Sequence, residues 1–275
     1  MNYYLAGRKV EVGERVQCPC GGTDDQLMQF YNEGETDFRI CQCCGCVFRE
    51  FFPDADELNE IYKQAYLEEN IQGHNTNQES GDFAYGSYAN YMLEELIKEN
   101  DKVLDYGAGS GAMVSILREQ GVDADGMEFS ETARDFCMAH RGFAMKETLR
   151  DVPDGYYQVI SMIEVIEHLT DLERGLKEIS RVLAPGGRFL ITTPSRSGLR
   201  ARLEKGNWRE ARKKFHLFLF DWKSIRFHLE RVGFINVRRK VFSPLQKTGW
   251  KQVVYARCTQ AVGLSGTLCV LARKQ

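Results

Sequence analysis

No stretch of this chain approaches the roughly 18 consecutive apolar residues that a membrane span requires. The opening residues, MNYYLAGRKVEVGERV, have no apolar core leading to a cleavage site, so no secretory signal is expected. An excess of one charge is missing too. Thirty-six Lys and Arg against 39 Asp and Glu leave a net −3, whereas a dedicated duplex-DNA binder carries a strongly basic footprint. There is no internal repeat at the roughly 20–50-residue periods of solenoids. Hydrophobic residues at 43% and charged residues at 27% exclude a disordered or fibrous chain. The 275 residues suffice for one large α/β domain with a small appendage.

The nine cysteines are unevenly spread, six of them between Cys18 and Cys46. An odd count without a secretory signal argues against a disulfide framework and for a metal site in a reducing, cytoplasmic compartment. Cys18-Pro-Cys20-Gly21-Gly22 and Cys41-Gln-Cys43-Cys44-Gly45-Cys46 flank two strand-like stretches, Leu27–Tyr31 and Asp37–Ile40, which read as a hairpin. Four thiolates satisfy tetrahedral Zn²⁺, and a glycine after each pair permits the turn that aims sulfurs at the ion. Cys41-x-x-Cys44-Gly45 is a regular half-site, while the first half is one residue short. The expected ligands are Cys18, Cys20, Cys41 and Cys44, with Cys43 and Cys46 as bystanders. A redox or iron–sulfur cluster is the alternative.

The chain divides into a zinc-ribbon-like module (1–52), a helical linker with a polar lid loop (53–82), and an α/β domain (83–275). In the last part, strands at Lys102–Tyr106, Ala124–Glu128, Tyr157–Met162 and Arg188–Thr193 alternate with helical stripes. Ser130 and Asp221 serve as N-caps and Gly142 and Gly233 as stops. Late strands are expected at Phe234–Phe242 and Thr267–Ala272. Repeated β-α units imply a mostly parallel sheet with helices on both faces. The first of these strands runs into Asp105-Tyr106-Gly107-Ala108-Gly109-Ser110-Gly111, a glycine turn opening a helix. Glycines there let the backbone approach a ligand. Gly107-x-Gly109-x-x-Ala112 also fits a relaxed dinucleotide fingerprint, with Glu128 about 20 residues on. Asp105 argues otherwise: that fingerprint carries an apolar residue before its glycines, and a carboxylate suits a ligand with an ammonium group.

With Ile163-Glu164-Val165-Ile166-Glu167-His168 at one strand end and Leu183-Ala184-Pro185-Gly186-Gly187 before another, the combination resembles class I S-adenosylmethionine-dependent methyltransferases over roughly residues 83–275. The resemblance implies a seven-stranded Rossmann-like sheet whose final strand is antiparallel, with the methyl donor lying across the strand ends. It implies that Asp105, Gly107, Ala108, Gly109 and Gly111 hold the methionine portion and that Glu128 accepts the ribose hydroxyls. Phe129 would pack on the adenine, Thr148 and Leu149 would meet its edge, and Met162 and Glu164 would line the reacting end. Tyr157-Gln158 stands where many relatives have Phe-Asp. A zinc ribbon ahead of such a domain resembles a bacterial group that includes deoxysugar C-methyltransferases. Quinone-pathway O-methyltransferases share a similar Glu-Val-x-Glu-His stretch, where some related enzymes use a divalent cation.

His168 is the candidate general base, since a histidine can titrate near neutrality, with packing or capping as its alternative role. His216 lies in an insertion, Arg196–His216, that covers the acceptor pocket in the resembling family. This insertion carries Arg196, Arg200, Arg202, Lys205, Arg209, Arg212, Lys213 and Lys214 against Glu204 and Glu210. It reads either as a solvated helix face or as a site for an anionic acceptor. The expected activity is O- or C-methylation of a small molecule. The alternatives are an RNA methyltransferase using the cysteine module and the basic insertion, and a non-catalytic S-adenosylmethionine-binding or scaffold protein.

Overall fold

A computed structural model of the protein describes residues 14–33, 36–52, 78–240, 258 and 264–275. Three short strands come first: β1 (Leu27–Glu33), β2 (Thr36–Cys41) and β3 (Val47–Arg49). Then follow α1 (Gln78–Glu95), β4 (Lys102–Tyr106), α2 (Ala112–Glu119), β5 (Asp123–Met127), α3 (Glu131–Arg141) and β6 (Tyr157–Ile163). After a 3₁₀ turn at Ile166–His168 come α4 (Leu172–Val182) and β7 (Leu183–Pro194). The insertion holds the short helices α5 (Leu199–Glu204) and α6 (Arg209–Arg212), and the strand β8 (Phe218–Leu219) follows it. α7 (Trp222–Arg231), β9 (Phe234–Arg239) and β10 (Thr267–Lys274) complete the described chain.

The large sheet runs β5-β4-β6-β7-β10-β9. Strands β5, β4, β6 and β7 are parallel, and β10 is antiparallel to both β7 and β9. Alternation along each strand sends neighbouring side chains to opposite faces. Val103, Val159, Leu190 and Cys269 pack beneath Tyr88 and Met92 of α1, Leu96 just after it, and Met113 and Leu117 of α2. Their neighbours Leu104, Ile160, Phe189, Ile191 and Val270 pack with Leu172, Leu176 and Ile179 of α4 and Ile225 and Leu229 of α7. Burial of each such side chain contributes roughly 1.5–3 kcal/mol. Ser130 accepts a hydrogen bond from the Ala133 N–H at 3.3 Å, and Gly142 closes α3 in the left-handed region. Asp221 forms a full capping box with Ser224 at the start of α7.

Three expectations need correcting. The described residues give six strands in the large sheet, not seven. At the β5 edge, where a seventh would lie, Lys146 makes a single parallel bridge to Met127. Thr148 then accepts from the Arg150 N–H at 3.1 Å and Leu149 buries itself in the core, so the chain turns away before a ladder can form. The polar segment Ile71–Gly86, read as a loop, is helical from Gln78 onward; the proposed linker helix Pro53–Asn70, most of the lid and the end of the Phe234–Phe242 strand lie outside the described residues. Finally, the cysteine module has its own small sheet, as expected, but that sheet is not confined to residues 1–52. It runs β1-β2-β3-β8, the last strand coming from just after the insertion some 170 residues later, with Val47 opposite Leu219 and Phe48 opposite Phe218. Val16, Phe48 and Phe52 share one hydrophobic core with Leu104 and Met162.

Candidate functional site

In an open α/β sheet, ligands bind outside the carboxyl ends of the strands, where strand order reverses. Here β4 sits between β5 and β6, and the residues singled out from sequence stand at the ends of these three strands. Asp105 is 4% exposed near the end of β4 and accepts from Ser161 Oγ at 2.9 Å. Burial pushes its carboxyl up to about 7. The turn that follows is built by Gly107 (φ 80°), Gly109 (φ 53°) and Gly111 (φ 76°). A Cβ on Gly107 would stand 2.4 Å from Val165 Cγ2, and one on Gly111 would stand 2.6 Å from Cys137 Sγ. No side chain fits at either position, in space or in dihedral angle.

Glu128 is the first residue past β5 and is buried. Its Oε2 accepts from the Gly109 N–H at 2.8 Å and its Oε1 from the Ser130 N–H at 2.9 Å, which ties the glycine turn to the start of α3. Burial raises its pKa and the backbone N–H groups oppose the rise. Each carboxylate oxygen keeps a second lone pair for a ligand hydroxyl. Phe129 meets Tyr106 edge-on with ring centroids 5.7 Å apart. Met162 is fully buried in β6. Thr148 is exposed and Leu149 buried, two and three residues beyond the Lys146 bridge; the Lys146 carbonyl accepts from the Glu128 N–H at 2.9 Å.

A second cluster forms at the end of β6. Glu164 has φ 55°, uncommon for a residue with a side chain. Its N–H donates to the Thr192 carbonyl at 2.9 Å. The side chain is open to solvent on one side yet lies among enough protein that desolvation pushes its carboxyl up to about 7. Glu167 is 1% exposed; Oε2 accepts from Thr193 Oγ at 2.9 Å, while Oε1 has no hydrogen-bond partner. Desolvation raises its pKa well above the usual range, and the nearby Glu164 adds to this. His168 Nδ1 lies 2.9 Å from the Phe215 carbonyl. That contact makes Nδ1 the donor to the carbonyl, and Nε2 lies 3.8 Å from Glu167 Oε1. Burial lowers the His168 pKa to about 4. His216 is 2% exposed, its ring centroid 4.8 Å from that of His168, and its Nδ1 has no hydrogen-bond partner at 3.8 Å from Glu210 Oε2. Burial, then the nearby His168, lowers its pKa well below the usual value.

Glu167, His168 and His216 each offer a ligand atom within 4.8 Å of the others, so they could hold a cation. Cys18, Cys20, Cys41 and Cys44 form the other such group. Their sulfurs lie 3.3 Å (Cys18–Cys20), 3.5 Å (Cys18–Cys44) and 3.6 Å (Cys20–Cys41) apart. A tetrahedron of Zn–S bonds of about 2.3 Å has edges of about 3.8 Å, so the donor set fits zinc. A Cβ on Gly22 would lie 2.9 Å from Cys41 Sγ, which makes Gly22 part of the cradle. The Cys46 N–H points at Cys44 Sγ from 3.4 Å. Cys43 is exposed and Cys46 is buried outside the quartet.

Sequence reasoning singled out His168, Glu164 and His216, and the fold gathers His168 and His216 with Glu167. It did not single out Glu210, a buried acid inside a basic stretch, whose oddity among cations was the available signal. Nor did it find Arg49. The basic insertion is less of an anion site than its composition suggests. Arg196 pairs with Asp221, and Arg209 and Lys213 both pair with Glu210, each of the latter at 2.6 Å.

Comparisons with known proteins agree with this architecture. A family model described as a methyltransferase domain matches residues 83–239. The chain is 31% identical over 106 residues to a ubiquinone biosynthesis O-methyltransferase of Methylococcus capsulatus, covering 35% of this chain and 44% of that protein. It is 28% identical over 101 residues to a demethylmenaquinone methyltransferase of Tropheryma whipplei, covering 34% and 42%. It thus spans less than half the length of these curated relatives. In fold it is similar to a SAM-dependent methyltransferase of Archaeoglobus fulgidus (TM-score 0.55, 19% identity, 80% of this chain and 100% of that one). It is also similar to a phosphoethanolamine N-methyltransferase of Haemonchus contortus solved with S-adenosyl-L-methionine (TM-score 0.51, 16% identity, 74% and 59%).

Proposed function

The chain belongs to the methyltransferase domain family, whose model matches residues 83–239, and from that membership we propose that it transfers a methyl group from S-adenosylmethionine to a small-molecule acceptor by O- or C-methylation. One observation carries the reading. Two buried carboxylates, Asp105 and Glu128, stand around a turn with three glycines, one strand away from a carboxylate and imidazole cluster. A donor that is a cation at its sulfonium and ammonium, with a ribose diol, needs the first group. An acceptor that must lose a proton needs the second.

In this reading Asp105 and the Gly107–Gly111 turn bind the methionine end, Glu128 binds the ribose, Phe129 packs on the adenine, and Thr148 and Leu149 meet its edge. Met162 and Glu164 line the methyl-bearing side. Methyl transfer is an in-line displacement, so the protein chiefly supplies alignment. For proton removal the pKa values favour Glu164 over His168. A carboxyl near 7 is poised at working pH, whereas an imidazole near 4 is neutral but weakly basic. His216, whose Nδ1 has no hydrogen-bond partner, then serves as a neutral acceptor that orients the substrate hydroxyl, with the His168 ring packed beside it. A second reading of the cluster is favoured by its two buried atoms without partners, Glu167 Oε1 and His216 Nδ1. A divalent cation held by Glu167, His168 and His216 would use both, and would acidify a hydroxyl bound to it. Zn²⁺ at the cysteine quartet is structural in this account: with four thiolates it has no open position for substrate.

Calorimetric titration with S-adenosylmethionine tests the donor assignment. The wild-type protein should bind it and Asp105→Ala should weaken it. Tight binding of NAD with none of the methyl donor would overturn the reading. A magnesium or manganese titration that neither binds nor alters turnover would remove the cation from the acceptor cluster while leaving the methyl transfer in place.

A further inference from the structure

Arg49 ends β3 in the cysteine module, yet its buried guanidinium reaches into the insertion. Nε donates to the His216 carbonyl at 3.1 Å, and Nη2 donates to the carbonyls of Ala211 and Lys213, each at 2.9 Å. Its backbone N–H donates to the Leu217 carbonyl at 2.9 Å, and its cation lies 4.7 Å over the Phe38 ring. Three carbonyls from one six-residue turn thus converge on one planar fork. Without it these acceptors would need water in a buried place. The same turn delivers His216 to His168 and, through the Phe215 carbonyl, fixes the His168 ring. At its other end, β3 begins three residues after Cys44.

We infer that Arg49 is a positioning residue for the acceptor side, holding the 211–216 turn so that His216 stays against His168 and Glu167, and making that geometry depend on the cysteine module. The inference rests on the reading of the cluster as the acceptor side. Ala211 also packs in one hydrophobic cluster with Phe38 and Val47 of the module, but two polar contacts between the module and the large domain lie away from this turn. Arg196 donates to the Gly45 carbonyl at 3.0 Å and Arg231 to the Cys20 carbonyl at 3.0 Å. Arg231 therefore provides the control, because losing it loosens the module without releasing His216.

The test needs no known acceptor. In the whole protein with ¹³C-labelled histidine, the through-space cross-peak between the His216 and His168 rings, whose centroids lie 4.8 Å apart, is followed at one fixed pH. Wild-type protein and Arg231→Met should show it at full strength. Arg49→Gln should lose it, and Arg49→Lys, which keeps the charge but not the fork, should weaken it. Zinc content and S-adenosylmethionine affinity should stay within about twofold throughout. Should Arg49→Gln fail to fold, Arg49→Lys decides. An undiminished cross-peak in Arg49→Lys would overturn the inference, since charge alone would then suffice. A change of equal size in Arg231→Met would overturn it as well. Absence of donor binding in the wild type would instead count against the proposed function.

Discussion

The donor side and the acceptor side of the cleft are built in different ways. On the donor side Asp105, the Gly107–Gly111 turn and Glu128 come from two consecutive β-α units, and the bonds that organise them, Gly109 to Glu128 and Ser130 to Glu128, are short in sequence. On the acceptor side Glu167 and His168 come from the turn after β6, His216 from an insertion almost fifty residues on, and Arg49 from the other side of the chain. A local cradle survives as a sequence motif, because turn geometry ties its residues to fixed spacings. A cluster closed by distant segments has no spacing to preserve.

The largest effect that would sharpen this contrast lies in the cysteine quartet. Elemental analysis should give one zinc per chain and no iron. Cys44→Ser should lose the metal at a cost on the order of several kcal/mol, while Cys43→Ser, an exposed residue outside the quartet, should keep it. An iron–sulfur absorption band in anaerobically purified protein would contradict the assignment. Next comes Gly107→Ala. With φ at 80° and Val165 2.4 Å from the new methyl, it should cost about 2–4 kcal/mol in thermal or chemical unfolding and abolish measurable donor binding. If the cysteine changes spare the donor site and the glycine change spares zinc, the two sides are separable as described.

A smaller effect concerns Glu128→Ala, which should weaken S-adenosylmethionine binding by roughly 1–3 kcal/mol in calorimetry with the fold intact. The pH dependence runs through Asp105. Its folded pKa is raised from 3.8 to about 7, so its contribution to stability is fully present below pH 4 and is lost as pH rises through 7. The ligand-free protein should therefore lose stability across this window, and Asp105→Asn should flatten the loss. A cationic donor favours the ionised carboxylate. Donor binding should accordingly strengthen from pH 6 to pH 8 and release a proton near neutrality, seen as a buffer-dependent heat. The smallest effect belongs to Arg212, an exposed residue of the insertion: Arg212→Gln should change stability by under about 0.5 kcal/mol.

Whereas the antiparallel last strand followed from the family resemblance, the parallel sheet and the helix caps at Ser130 and Asp221 were legible because each rests on local periodicity or a local hydrogen bond. The same holds for the four gathered cysteines, whose two halves are each a compact turn. The absence of a seventh strand among the described residues was not legible. That strand fails at a Thr148–Arg150 turn that no pattern distinguishes from a strand end. The helix that begins at Gln78 was hidden by the polar, glycine-containing segment it starts in. The insertion's basic composition allowed a solvated face or an anion site, but the buried Glu210 draws Arg209 and Lys213 to itself. Arg49 reads as an ordinary strand residue until the 211–216 turn ahead of β8 closes beside it and supplies three carbonyls.

The central claim, methyl transfer from S-adenosylmethionine to a small molecule, is tested most directly by incubating the protein with a metabolite extract and methyl-labelled donor and following the label by mass spectrometry. The account predicts label in a low-molecular-weight compound, lost with Asp105→Ala. Label confined to RNA, or none transferred by a protein that binds the donor, would contradict it.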